Sequence, residues 1–170
     1  WWWLFEPTYS AINWFLVKIS LPAIPWLSET FWARFSIILV NVWVGAPFFL
    51  IMYLAALKSI PADLYEAASI DGANYRQKLY YITLPMMKNI ISITILFSII
   101  VTFANFDIVR VLTRGGPIDT THLFATYAFR VGIESGDIPL GAAVSLFMFP
   151  ILGTLAFIIL RSVRKRAMEV

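Results

Sequence analysis

The 170-residue sequence contains no cysteine and a single histidine, His122. A disulfide scaffold, a thiolate metal site, a Cys-x-x-Cys redox pair and a metal site built from several histidines are therefore excluded. Charged residues are also scarce: they make up 14% of the chain, whereas apolar residues make up 60%. An ordinary soluble domain has about 25% charged and roughly 45–50% apolar residues, so the composition predicts a membrane protein.

The sequence also lacks the motifs of nucleotide and hydrolytic chemistry. It has no Gly-x4-Gly-Lys-Ser/Thr loop, so the chain cannot hold the phosphates of ATP itself. His122 has no Gly-x-Ser-x-Gly nucleophile or acid in register with it and is interpreted as a structural residue. The acids near turns, Asp107, Asp119, Glu134 and Asp137, are interpreted as solvated. We therefore expect no enzyme activity, no catalytic residue, no metal ion and no resident cofactor.

Three uncharged apolar stretches are long enough to cross a bilayer: residues 35–57, 89–106 and 138–160. The first and third have 23 residues each and the second has 18. As helices they would be roughly 34 and 27 Å long, against a hydrocarbon core of about 30 Å. They include Pro47, Pro139 and Pro150, which membrane helices tolerate. The pattern predicts an all-α integral membrane protein with three spans.

The distribution of lysine and arginine predicts the orientation of these spans. Four basic residues lie in 58–88 and four more follow the last span, at Arg161, Arg164, Lys165 and Arg166. The regions that three spans would place on the opposite side, 1–34 and 107–137, together hold five. By the positive-inside rule, the 58–88 loop and the C-terminus are expected in the cytoplasm. The net charge of +3 is thus a topology signal and does not indicate nucleic-acid binding.

The N-terminal part differs in composition from the remainder. Residues 1–34 contain six of the seven tryptophans, and Pro22 and Pro25 interrupt any continuous span. Tryptophan is enriched at membrane interfaces, so residues 1–34 are predicted to form an outer-face loop and interfacial region, and residues 35–170 the transmembrane domain. The sequence opens on Trp1 without a basic stretch typical of a signal peptide. We expect the chain to be the C-terminal portion of a longer protein.

The loop at 58–88 carries signals of its own. Pro61 and Asp63 are typical of a helix start, Asp71-Gly72 of a stop, and a second helix is predicted at 75–81. Leu84-Pro85 is predicted to interrupt the chain before the next span. The resulting elbow has Leu64, Ala67 and Ala68 at i, i+3 and i+4, which predicts one small, apolar face.

This loop also resembles a known motif. Glu66-Ala67-Ala68, three residues, Gly72, nine residues, and Ile82-x-Leu84-Pro85 match the EAA motif of permease subunits of binding-protein-dependent ABC importers. The resemblance implies a type I ABC-importer permease-like helical bundle in the bacterial inner membrane. It implies partners as well: two ATP-binding subunits, a second permease subunit and an external solute-binding protein. The implied ATPase-coupling residues are Glu66, Ala67, Ala68, Asp71, Gly72, Leu84 and Pro85.

Outside the motif, the sequence resembles the carbohydrate-importing branch of that family, which includes the maltose permease. This resemblance rests on segments in the expected order, among them Asn41-Val42-Trp43 and Gly115-Gly116-Pro117. It implies a substrate path lined by two sets at i, i+4 and i+7: Asn41, Gly45 and Phe48, and Ser98, Thr102 and Asn105. Amide and hydroxyl groups with an aromatic ring suit a sugar. The same polar residues could instead join helices, and this alternative stays open.

Two other functions can be weighed against an importer. A secondary transporter driven by an ion gradient would need an acid or base within a span, and the three predicted spans contain none. A membrane-embedded enzyme would need paired carboxylates or histidines at spanning depth, which the sequence does not supply. Uptake driven by ATP on a separate subunit is the function that the sequence favours.

Overall fold

The computed structural model describes residues 1–167, apart from the side chains of residue 159 and of the residues from 162 onward. Within this part the secondary structure is helical and contains no strand, which confirms the predicted all-α class. The α-helices are α1 (Trp2–Phe5), α2 (Ala11–Lys18), α3 (Thr30–Lys58), α4 (Ala62–Ile70), α5 (Tyr75–Lys78), α6 (Leu84–Phe103), α7 (Asp107–Leu112), α8 (Phe124–Phe129) and α9 (Ile138–Ala167). Two π-helical turns, Leu79–Thr83 and Arg130–Glu134, follow α5 and α8.

Three helical stretches among the described residues are long and apolar enough to cross a membrane: Thr30–Lys58, Tyr75–Leu112 and Ile138–Ile158. The first two contain the predicted stretches 35–57 and 89–106 and extend further, whereas the third covers residues 138–158 of the predicted 138–160. Helix α3 begins at Thr30 rather than at residue 35, because Arg34 fits within it and its Nε donates to the Thr120 carbonyl at 3.1 Å. A window chosen for the absence of charge therefore underestimates the helix.

The prolines do not break these helices. Pro47 lies inside α3 and Pro150 inside α9. The prediction that Leu84-Pro85 interrupts the chain is wrong, because α6 starts at Leu84 directly after the π-helical turn. Proline has no N–H and clashes with the carbonyl four residues back in an α-helix. In the preceding π-helical turn, an N–H bonds to the carbonyl five residues back instead of four, as the Leu84 N–H does to the Leu79 carbonyl. The helical path therefore continues through Pro85.

The chain divides into two compact units, of which the first comprises residues 1–44 and 100–152. Its core contains Phe5, Trp26, Val40 and Leu112. Asn13, buried in α2, holds the N-terminal segment in place through its side chain. Its Nδ2 donates to the Ile24 carbonyl at 2.9 Å, and its Oδ1 accepts from the Ile24 N–H and from the indole N–H of Trp26. The Asn13 side chain thus connects α2 to the chain at Ile24 and Trp26.

The second unit comprises residues 45–99 and the chain from Gly153 onward. Its core is formed by Ala56, Ile60 and Met87, here called the Ala56 cluster. The partly buried residues packed against it are Tyr53, Tyr65, Ile82, Ile90 and Ile91. This cluster joins the end of α3 to the start of α6, and so it supports both ends of the segment between them.

Most of the apolar surface is not covered by the chain itself. Only 6% of the most apolar window of Thr30–Lys58, 17% of that of Tyr75–Leu112 and 6% of that of Ile138–Ile158 is buried. Exposed apolar surface on this scale is unfavourable in water, so these helices require lipid or further protein around them.

Candidate functional site

Helix α4, which carries the Glu-Ala-Ala sequence, has two distinct faces. Tyr65 and Ala68 are half-buried and face the remainder of the second unit. The opposite face follows the i, i+3, i+4, i+7 spacing and consists of the exposed residues Asp63, Glu66, Ala67 and Ile70. The predicted shared face of Leu64, Ala67 and Ala68 is therefore split, because Ala68 alone of the three is turned inward. The exposed face is acidic and contains one small residue, Ala67.

Gly72 makes the sharp turn that ends α4. Its φ is +77°, in the left-handed region that favours glycine. The N–H of Gly72 donates to the Ser69 carbonyl at 3.1 Å, and that of Ala73 to the Ala68 carbonyl at 2.9 Å. These two bonds form a Schellman motif, which satisfies carbonyls at the helix end. Asp71 is the preceding C-cap residue and is exposed.

The chain resumes as a helix directly after this turn. Asn74 and Gln77 form a reciprocal capping box at the start of α5, with distances of 2.7 and 3.0 Å. The Lys78 ammonium donates to the Ser69 hydroxyl, which in turn donates to the Tyr65 carbonyl at 2.6 Å. The two helices of the elbow, defined here as residues 62–83, are thereby connected across the turn.

A second connection joins α4 to the π-helical turn at 79–83. The hydroxyls of Tyr65 and Thr83 lie 2.9 Å apart, and the Thr83 hydroxyl also donates to the Lys78 carbonyl at 3.3 Å. Thr83 is buried at 8% exposure. The sequence analysis did not identify Tyr65 or Thr83. Tyr65 lies just before the motif, and Thr83 is the unspecified residue between Ile82 and Leu84. Leu84 and Pro85 begin α6 and are exposed.

Three of the six predicted substrate-path residues meet in the first unit. The Asn105 amide donates to Asn41 Oδ1 at 3.0 Å, and the Asn41 amide points to the Thr102 hydroxyl at 3.5 Å. Asn105 Oδ1 also accepts from the Ile108 N–H at 3.2 Å, at the start of α7. Asn41 and Asn105 are half-buried, whereas Thr102 is exposed. These amides therefore join α3 to the break between α6 and α7.

The other three predicted residues lie in the second unit. The Phe48 ring packs against Phe97 with a centroid separation of 5.2 Å and remains 47% exposed. Ser98 lines a small apolar cleft together with Phe49 and Tyr53. Gly45 lies close to the Phe49 ring, which a Cβ at that position would approach to 3.2 Å. Part of the Phe48 ring is therefore left uncovered by this unit.

A polar cluster surrounds the single histidine. Asp119 pairs with Arg130, and Glu134 pairs with Arg110, while both acids remain exposed, in agreement with their interpretation as solvated. The sequence pattern could not show these pairs because their partners lie on other elements. The His122 ring lies over Gly115, where a Cβ would meet it at 2.1 Å. Burial lowers the pKa of His122, and this effect outweighs the Asp119 carboxylate, which raises it.

No group of three or more potential metal-ligating side chains occurs among the residues that the structure describes.

The sequence matches, over residues 2–169, the family described as binding-protein-dependent transport system inner membrane component. The chain belongs to this family, which confirms the resemblance drawn from the EAA motif. Its relatives include the maltose/maltodextrin transport system permease protein MalF of Vibrio vulnificus strain YJ016, 35% identical over 93% of this chain. The MalF protein of Escherichia coli K12 is 33% identical over 96% of this chain. The chain spans about a third of each relative, 32% and 34% respectively.

Two solved structures share the fold. One is a bacterial ABC transporter involved in the import of the acidic polysaccharide alginate, with a TM-score of 0.84 and 27% identity. The other is the bacterial alginate transporter in complex with alginate pentasaccharide-bound periplasmic protein, with a TM-score of 0.85 and 26% identity. Each match covers 96% of this chain and 57% of the solved chain. The fold is that of a type I ABC-importer permease.

Proposed function

We propose that this chain carries the last three spans of a permease subunit that imports a sugar or related polar solute at the expense of ATP. The family match over residues 2–169 carries the proposal. Relatives named as maltose permeases and structural neighbours that import alginate support a carbohydrate substrate. ATP would be hydrolysed by two separate subunits, since the sequence has no phosphate-binding loop of its own. A second permease chain and an external solute-binding protein would complete the importer.

In this proposal the exposed face of α4 is where the ATPase binds. Glu66 and Asp63 give that face a negative charge, which would attract basic groups on the partner. Ala67, exposed beside Glu66, allows a partner backbone to approach closely. The 58–88 segment and the C-terminus would lie in the cytoplasm of a bacterial inner membrane. The basic C-terminal cluster that supports this orientation lies, beyond Arg161, outside the described side chains.

The substrate path would use the polar residues of α3 and α6. In the first unit, exposed Thr102 would offer a hydroxyl to the hydroxyl groups of a sugar. In the second unit, exposed Phe48 would offer an aromatic ring to the C–H face of a sugar. Asn41 and Asn105 bond each other at 3.0 Å and would add amide groups with remaining hydrogen-bonding capacity to the part of the path in the first unit. Gly45 and Ser98 would border the path.

Uptake into sealed vesicles that contain the complete importer tests this function. ATP supplied on the cytoplasmic side should drive accumulation of the solute, and collapse of the proton and sodium gradients should not stop it. Accumulation that follows an ion gradient without ATP would refute the proposal in favour of a secondary transporter. That rival is already disfavoured, because residues 35–57, 89–106 and 138–160 contain no acid or base.

Reversal of charge at Glu66 tests the coupling role. Glu66→Lys should leave the protein in the membrane but abolish most ATP-driven uptake, because a basic side chain would face a basic partner surface. Glu29→Lys, a reversal at an exposed residue outside the elbow, is the matched control and should transport normally. Equal uptake by Glu66→Lys and the unaltered protein, at equal protein level, would contradict the coupling role.

A further inference from the structure

The backbone of the elbow alone would not transmit a force from α4 to α6. Helix α4 connects to α5 through Gly72, and each residue of such a turn offers two rotatable backbone dihedrals. Gly72 has no Cβ to restrict them, and a Cβ there would meet nothing within 4 Å. A force applied to the exposed face of α4 could therefore be absorbed by rotation at this turn. Transmission to α6 requires a second connection.

The structure contains that connection as a closed set of hydrogen bonds. A hydroxyl has one proton, and the Thr83 hydroxyl gives its proton to the Lys78 carbonyl. The Tyr65 hydroxyl must therefore be the donor in its 2.9 Å bond to Thr83. On the other side, Lys78 donates to Ser69, which donates to the Tyr65 carbonyl. Both links run between Tyr65 and Lys78, which precede and follow the Gly72 turn.

The two links are not equivalent. Ser69 is exposed, so water competes for its bond to Lys78 and the net stabilisation is small. Thr83 is buried, so the loss of its bond would not be replaced by water. The Tyr65 ring also packs against the Ala56 cluster, which holds the hydroxyl in place. The Tyr65–Thr83 link is thus the stronger of the two.

We propose that Tyr65 and Thr83 are positioning residues that make the elbow rigid, so that a push on α4 reaches α6 rather than being lost at Gly72. The inference rests on the proposed function, because it assumes that an ATPase subunit binds the exposed face of α4. Thr83 ends the π-helical turn, and α6 begins at the next residue. A displacement of Tyr65 therefore passes through this pair of hydroxyls to the residue directly before α6.

The test uses the complete importer in proteoliposomes, with solute transported per ATP hydrolysed as the readout. Tyr65→Phe keeps the ring in the Ala56 cluster and removes only the hydroxyl. Thr83→Val keeps the shape and removes the other hydroxyl. Each should lower the transport ratio by roughly two- to tenfold, the range expected for the loss of one hydrogen bond. The transport ratio of the double variant should be no lower than that of the more impaired single variant, because both changes break the same link.

Matched variants separate positioning from packing. Thr83→Ser restores the hydroxyl and should recover most of the transport ratio. Tyr81→Phe removes a hydroxyl from a side chain that is 80% exposed and should have no effect. Co-purification of the ATPase subunit should be unchanged in every variant, since the exposed face of α4 is not altered.

Three results would overturn the inference: a normal transport ratio in Tyr65→Phe, equal defects in Thr83→Ser and Thr83→Val, or loss of the ATPase subunit from the variants alone. Failure of the unaltered protein to retain an ATPase subunit, or to need ATP, would instead refute the proposed function, and the inference with it.

Discussion

Replacement of Gly72 with alanine should loosen the elbow without creating a steric clash. The φ of +77° places this residue in the left-handed region, and an added Cβ would meet no atom within 4 Å. The whole effect therefore comes from the backbone, where a non-glycine residue in this conformation costs about 1–2 kcal/mol. Gly72→Asn should cost less, because asparagine adopts this conformation more readily than alanine.

Hydrogen exchange at Ala73 measures this loss directly. The Ala73 N–H closes the Schellman motif by its 2.9 Å bond to the Ala68 carbonyl, so it exchanges when the turn opens. A loss of about 1–2 kcal/mol corresponds to exchange roughly 5–30 times faster in Gly72→Ala. Gly153→Ala is the matched control, because Gly153 lies inside α9 and also has nothing within 4 Å of an added Cβ. Unchanged exchange at Ala73 in Gly72→Ala would refute this explanation of the turn.

Two further predictions concern the first unit. Gly141→Ala should lower the melting temperature of the purified importer by an amount equivalent to about 1–3 kcal/mol. The reason is that the added Cβ would lie 2.5 Å from the Gly132 Cα. A melting temperature equal to that of the Gly153→Ala variant would contradict this prediction. The lowered pKa of His122 means that the folded chain binds fewer protons than the unfolded chain below about pH 6.5, so stability should fall as the pH drops through that value. His122→Gln should flatten this dependence in melting curves recorded at about pH 5 and 7.5, and an unchanged slope would assign the effect to other groups.

The sequence was a good guide to the elements whose residues repeat regularly. The apolar stretches at 35–57, 89–106 and 138–160 predicted the three long helices because a span must be apolar over its whole length. Gly72 was correctly placed at a turn because its conformation requires glycine. The EAA motif predicted the family because its spacing fixes several positions at once.

The features that the sequence did not predict depend on contacts between separate elements. The π-helical turn at 79–83 has no characteristic spacing of apolar residues, so the sequence does not predict it. Leu84-Pro85 therefore resembles a break, although α6 begins there without interruption. The Tyr65–Thr83 bond joins residues 18 positions apart, and either side chain alone resembles an ordinary surface polar group. The pairing of Asn41 with Asn105 likewise spans 64 positions. Such contacts are set by packing, which local propensity and periodicity do not describe.

The central claim is that the exposed face of α4 binds an ATP-hydrolysing subunit. The 170 residues contain no native cysteine, so one introduced thiol is the only crosslinking site among them. Ala67→Cys, on the exposed face, should crosslink to the ATPase subunit in membranes that contain the complete importer, and Ala68→Cys, on the half-buried face, should crosslink far less. Equal capture at both positions, or no capture of a nucleotide-hydrolysing subunit at Ala67, would contradict the claim.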